Sequence, residues 1–136
     1  MKKFLSAAIV ALVVALLAHC SAEYRDCYKN DSDYILVRSG HGAHEYLYLP
    51  SVDVQEYNPP HYQIAGTIVI IYDDDRKDDI SNELVRYNWY TKETFHKDNY
   101  GNWRKDEVRK HIEWYARKSI ANALFKAAYG INFFNG

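Results

Sequence analysis

The segment His41-Gly42-Ala43-His44-Glu45 gathers three side chains of metal-ligating type. A turn permitted by Gly42 would let His41 and His44 converge, and a zinc site would still need a third ligand, His61 or Glu45, with one position left open. The spacing matches no metal motif, so the segment reads as a solvated polar turn and no metal is expected. The run Asp73-Asp74-Asp75-Arg76-Lys77-Asp78-Asp79 has the charge to attract calcium. Set in an EF-hand frame that starts at Asp73, it puts Lys77 in a ligand position, Asp78 where glycine is required and Leu84 where the bidentate glutamate belongs. That motif is excluded, and the run reads as a charged connection.

Other chemistry is equally thin. Ser39 lies close to His41 in the chain, but no Gly-x-Ser-x-Gly elbow is present. Glu45, Asp53 and Glu56 are carboxylates that two-carboxylate glycoside chemistry would use if a fold brought two of them together. No glycine-rich loop is available to cradle a phosphate. On a helix, His111 and Glu113 are separated by about 200° and so do not share a site. No catalytic residue and no cofactor is therefore expected. The enzymatic alternative is a small periplasmic hydrolase or metal-dependent enzyme in which His41, His44 and His61 meet with carboxylates.

Length and composition narrow the class. The chain has 136 residues. Residues 4–18 are apolar, follow Lys2 and Lys3 and precede small residues, the pattern of a secretory signal peptide. Such a stretch is short for spanning about 30 Å of hydrocarbon. Cys20 and Ala22 suit a cut before Glu23, so residues 1–22 read as a signal peptide and residues 23–136 as a single domain that is secreted, periplasmic or at the cell surface. Leu17-Ala18-His19-Cys20 resembles a bacterial lipoprotein box with His where Gly or Ala is usual, and only lipidation of Cys20 would tie the protein to a membrane. After the cut, Cys27 is the one remaining thiol, so the fold stands without an internal disulfide. Setting aside Lys2 and Lys3 leaves 15 basic side chains against 18 acidic, a net charge of −3. Nucleic-acid binding calls for a basic excess instead, and no nucleic-acid partner is expected.

The elements that must position any site follow from periodicity. Residues 34–37, 46–49 and 52–57 read as short strands, the second stopped by Pro50 and the third by Pro59-Pro60. Residues 62–72 are apolar on both faces, as a central strand is. Residues 84–96 alternate as one half-wet strand, Asp98-Asn99-Tyr100-Gly101-Asn102 forms a hairpin loop, and Trp103 starts the returning strand. From about Asp106 to Tyr129 the period becomes helical, with Gly130 at the C′ position, and the drift of its apolar stripe predicts a helix that wraps diagonally or breaks near Ser119. Strands followed by one long helix give an α+β fold: an antiparallel sheet of about five strands packed on one face against a long C-terminal helix.

The greasier sheet face, carrying Ile64, Ile68, Ile70, Tyr72, Val85, Tyr87, Trp89 and Phe95, is expected beneath the helix. The other face is then open, with Val69, Ile71 and Tyr90 among Thr67, Arg86, Asn88 and Lys92. Tyr90, Val69, Ile71 and Arg86 are the expected binding residues, with Tyr90 near the centre, for a protein, peptide or glycan partner or a second copy of the chain. The 13 tyrosines and three tryptophans, all beyond the signal segment, serve core packing first and recognition second.

The runs Tyr48-Leu49-Pro50-Ser51-Val52-Asp53-Val54-Gln55, Tyr57-Asn58-Pro59-Pro60-His61-Tyr62-Gln63-Ile64-Ala65, Tyr87-Asn88-Trp89-Tyr90, Asn99-Tyr100-Gly101-Asn102-Trp103 and Ala123-Leu124-Phe125-Lys126-Ala127-Ala128-Tyr129-Gly130 resemble small exported proteins of anaerobic bacteria without an assigned activity. More distantly, the Tyr-Leu-x-Ser-Val element and the later aromatic turn with Trp are similar to surface-adhesin E-like proteins, whose paired cysteines this sequence lacks. These resemblances imply an envelope or surface location and a binding or structural role, and bring no catalytic residues.

Overall fold

A computed structural model of the chain describes residue 28, residues 31–107 and residues 111–135, with helix side chains described from residue 115. The signal segment, Cys20 and Cys27 lie outside the described residues. Six strands, β1 (Tyr34–Gly40), β2 (Ala43–Asn58), β3 (His61–Tyr72), β4 (Asp79–Asn88), β5 (Glu93–Lys97) and β6 (Trp103–Lys105), precede one helix, α1 (His111–Tyr129). All neighbours are antiparallel, and their order in the sheet is their order in the chain. The α+β architecture is as expected, with one strand more than expected.

Two element boundaries differ from the sequence reading, each for a local reason. Pro50 does not end a strand, because β2 runs through it as a bulge: Tyr48 faces Thr67 and the next pair is Asp53 with Ala65. Ser51 fills the gap, donating from Oγ to the Tyr48 carbonyl at 2.6 Å and accepting the Thr67 N–H at 2.7 Å. Proline is tolerated where the ladder is already interrupted. Residues 84–96 are two strands rather than one. Asn88 Oδ1 accepts the N–H groups of Tyr90 and Thr91 at 3.1 and 3.3 Å, and Lys92 takes φ 54°, so the chain reverses without glycine or proline. At the β1–β2 turn, His41 and Gly42 have φ 53° and 75°, the two positive values that a two-residue type I′ hairpin needs.

The helix begins later than expected. Residues 106 and 107 are not helical, and the Asp106 N–H is committed to the Thr94 carbonyl at 2.9 Å. From His111 the helix continues through Ser119, whose hydroxyl bonds back to the Tyr115 carbonyl at 2.9 Å. It ends at Gly130, with φ 75° and its N–H on the Lys126 carbonyl at 2.8 Å, an αL cap.

The core lies between α1 and the face bearing Leu47, Ile64, Ile68, Val85 and Tyr87, closed by Ala121, Leu124, Phe125 and Phe133. Trp89, beyond the end of β4, joins it by stacking on Phe125 at 5.4 Å. Ile70 and Tyr72 are only half-buried. Phe95 is on the opposite face from the one expected: the reversal after Asn88 pairs Thr94 with Tyr87 and Phe95 with Arg86, so Thr94 turns inward. Helix and sheet pack tightly at Gly66, where an added Cβ would stand 2.4 Å from Leu124 Cδ2 and 3.3 Å from Leu47 Cδ1. Nearby, the Tyr87 hydroxyl donates to the Ala121 carbonyl at 2.8 Å, and burial pushes its pKa well above the usual tyrosine value. The tail is fastened by Asn122, whose Oδ1 accepts the N–H groups of Phe133 and Phe134 at 2.8 and 3.2 Å.

Burial of Leu124, Phe125 and Phe133 contributes about 1.5–3 kcal/mol each before ordering costs. Leu124→Ala is therefore expected to destabilise the domain by about 2–5 kcal/mol, and Gly66→Ala by about 1–3 kcal/mol through overpacking. Because Leu124 vacates the space that the new methyl needs, the double variant should lose less than the sum of the two. Urea unfolding of the four proteins reads this directly, and strict additivity would show that the two residues are not in contact.

Candidate functional site

The sheet face away from α1 has two unlike halves. Toward the β1–β2 turn it is covered by packed tyrosines: Tyr28 lies 5.1 Å from Tyr34, edge to face, and 5.8 Å from Tyr46, and Tyr34 stacks on Tyr48 at 4.8 Å. The Tyr28 hydroxyl reaches across to Asp78 Oδ2 at 3.0 Å. Tyr46 is 3% exposed and Val69 9%. Two of the four expected binding residues, Val69 and Ile71, are thus buried and half-buried. Cross-strand pairing sets Val69 between Tyr46 and Ile80.

The other half is open and carries a groove of about 590 Å³, bordered by Glu56, His61, Arg86, Asn88, Phe95 and Trp103. Arg86 is where the sequence placed it, on the open face of β4. Its guanidinium lies 4.0 Å from the centre of the Trp103 ring and its Nε donates to Gln63 Oε1 at 2.8 Å. Gln63 in turn donates to Gln55 Oε1 at 2.8 Å, so Arg86 is held from both sides. Such a cation–π pair contributes about 0.5–1 kcal/mol when exposed. Tyr90 is not among the residues that border the groove: it is 81% exposed in the β4–β5 turn rather than at the centre of the face. Close by, desolvation, and then the phenols of Tyr57 and Tyr90, raise the pKa of Tyr62.

Trp103 owes its position to the β5–β6 hairpin, which pairs it with Lys97. Asp98 builds that turn: its Oδ1 accepts the N–H groups of Tyr100 and Asn102, each at 2.9 Å, and its Oδ2 accepts Arg104 Nε at 3.0 Å. The Asn102 N–H and then the Arg104 guanidinium hold the Asp98 carboxyl at about 2, below the usual carboxylate range. A depressed folded-state pKa stabilises the fold above the ordinary value of about 3.9, and that contribution disappears as pH falls through the folded value. Between about pH 4 and 2 the wild-type hairpin should therefore lose stability on this account, while Asp98→Asn should lack this component and be weaker already at neutral pH. Amide exchange of residues 97–103 across that range distinguishes the two.

The histidines do not assemble. His44 pairs with Ile71 near one end of β3, and His61 begins the other end, roughly 33 Å away at strand rise. The alternative in which His41, His44 and His61 converge is corrected accordingly. Among the described residues, no group of three or more His, Cys, Asp or Glu side chains is placed to hold a metal ion. Glu45 is engaged by Arg38 and buried, apart from the exposed Asp53 and Glu56. His44 instead joins Ser39 Oγ at 2.6 Å through Nδ1 and Asp73 Oδ1 at 2.7 Å through Nε2. The Asp73 side chain is 65% exposed, so water screens its charge from the ring, and the chain of contacts ties the β1–β2 turn to the end of β3.

In comparisons with known proteins the chain matches no family model, no curated protein and no solved structure. The groove therefore has to be read from its own chemistry. Sequence reasoning missed Phe95 and Trp103 as members of it. Both belong to strands after the Asn88 reversal, and the signal for that reversal was an Asx turn rather than glycine or proline.

Proposed function

We propose that the protein is an exported envelope or cell-surface binding domain that recognises its partner through the open half of the sheet. The observation that carries this reading is the groove in which aromatic rings, Phe95 and Trp103, stand beside side chains that offer planar or bidentate hydrogen bonding, Arg86, Asn88, His61 and Glu56. Aromatic area next to fixed polar groups suits a saccharide or an extended peptide, since the rings cover the flat apolar face of the ligand and the polar groups set its orientation. A glycan is the occupant we favour, because the polar groups include both donors and acceptors and so match hydroxyls, which act as both. Export rests on the signal-like segment at residues 1–22 and on the resemblance to exported bacterial proteins.

The test is a titration of the folded domain with a panel of neutral and acidic oligosaccharides and unstructured peptides, read by tryptophan fluorescence and amide shifts. Binding is expected to perturb Trp103, Arg86 and Asn88. Arg86→Ala and Trp103→Ala should each weaken it by more than about 1 kcal/mol, as for anchoring side chains. Tyr90→Ala should change stability by no more than about 0.5 kcal/mol, since its ring is exposed. Perturbations confined to residues outside the groove, or full affinity in the Trp103→Ala protein, would remove the groove from the function.

A further inference from the structure

The open face around Trp103 is uneven in charge. Cross-strand pairing of Arg86 with Phe95, of Phe95 with Lys105 and of Lys97 with Trp103 keeps these side chains together on that face. Its charges are differently spent. Lys105 Nζ is held by Glu93, whose carboxylate also accepts the Thr91 hydroxyl at 2.9 Å, and these two contacts lower the Glu93 pKa. That pair is closed on itself. Lys97 Nζ lies 5.4 Å from the centre of the Trp103 ring and meets no carboxylate among the described residues. The Arg86 guanidinium carbon stands 4.0 Å over the same ring. A guanidinium this close to a ring packs by its flat side and keeps its N–H donors, which lie in its plane, for other partners. Nε–H is committed to Gln63 Oε1, while Nη1 and Nη2 have no acceptor among the described residues. The end of the fork is therefore open, with parallel N–H groups at the spacing of a carboxylate's oxygens. Asn88 adds a donor, since its Oδ1 is occupied by the Tyr90 and Thr91 N–H groups and its amide N–H₂ is left over. Against these donors the lining holds one carboxylate, the exposed Glu56.

Given that the groove is the glycan site put forward above, we propose that its ligand is acidic: a chain of uronate sugars whose carboxylate is gripped by Nη1 and Nη2 of Arg86, with Lys97 supplying further positive charge. A carboxylate is planar and matches the open end of the guanidinium oxygen for N–H, and Arg86 carries its charge at every pH in which the protein is folded. The hydroxyls of the same sugar have the Asn88 amide as a donor and Glu56 as an acceptor. Glu56 is also the like charge that limits affinity. Gln63 and Gln55 are positioning residues: they hold Arg86 by Nε and so fix the direction of the free end.

The experiment compares a short oligogalacturonate with the same chain methyl-esterified, near pH 7 where the free acid is ionised, by the amide and Arg86 Nε–H resonances of the folded domain. The acid is expected to bind at least tenfold more tightly, with shifts at Arg86, Asn88 and Trp103, and the preference should shrink as salt is raised. Arg86→Gln should abolish the preference, and Arg86→Lys, which keeps the charge without the fork, should lose most of it. Glu56→Gln should tighten the acid several-fold and leave the ester unchanged, whereas Lys77→Ala, a charge removed elsewhere on the surface, should alter neither. Circular dichroism checks that each variant is folded. Equal affinity for acid and ester within the groove would overturn the acidic ligand while leaving a glycan site. An undiminished preference in folded Arg86→Gln would overturn the role of Arg86, and oligoglutamate bound as tightly as oligogalacturonate would replace the glycan by an acidic peptide. Binding of neither saccharide, or shifts confined to residues outside the groove, would remove the glycan site itself.

Discussion

The absence of one side chain governs how this protein is assembled. At Gly66 the backbone of β3 is bare, and Leu124 of α1 descends onto it to a distance that no Cβ would allow. A helix seated that low brings Ala121 within reach of the Tyr87 hydroxyl and lays Phe125 among the rings of Tyr62, Tyr87, Trp89 and Phe133. A larger residue at position 66 would first displace the Leu124 side chain, whose Cδ2 stands where a Cβ would go, because interiors packed to crystal-like density do not absorb a methyl group without displacement. A domain with no disulfide among its described residues depends on such contact for its stability.

The same seat divides the molecule into surfaces of different chemistry. Helix contacts cover the apolar face along β1, β2 and β3, while the first half of α1 borders a polar cleft over β4 and β5. On the reverse face the tyrosines around Tyr28 close one half, and the groove beside Trp103 occupies the other. Both polar recesses draw on β5, a strand of five residues whose alternate side chains feed opposite faces: Thr94 and His96 toward the helix side, Phe95 and Lys97 toward the groove. Two independent sets of polar contacts are thus served by one short strand.

Much of the fold was legible in the chain because periodicity reports burial. The two-sided apolar pattern of residues 62–72 marked the central strand, the i+4 stripe marked the helix, and Gly130 marked its end. Ile64, Ile68, Val85 and Tyr87 were assigned to the covered face on that ground, and they are buried there. Legibility ended where side-chain hydrogen bonds replace composition as the cause. Ser51 lets a strand pass through Pro50, and Asn88 turns the chain by an Asx turn without glycine or proline, so the strand boundaries and the side on which Phe95 lies depended on side-chain hydrogen bonds rather than on hydrophobic periodicity. The site was legible in part: Arg86 stood out as a cation on the open face, whereas Phe95 and Trp103 reach it only after the reversal at Asn88.

Strand order that repeats chain order has a temporal consequence. Each strand pairs with the one made just before it, so every ladder closes a short loop and can form as the chain lengthens, at little entropic cost. The helix is the exception, since its contacts run back to β1, β2 and β3, across most of the domain. In a polypeptide that emerges from a ribosome or a translocation channel with its amino end first, the meander can form with its greasy face still wet. Sealing must wait for residues 121–133, and until then the strip from Leu47 to Tyr87 is the surface that a chaperone would have to shield.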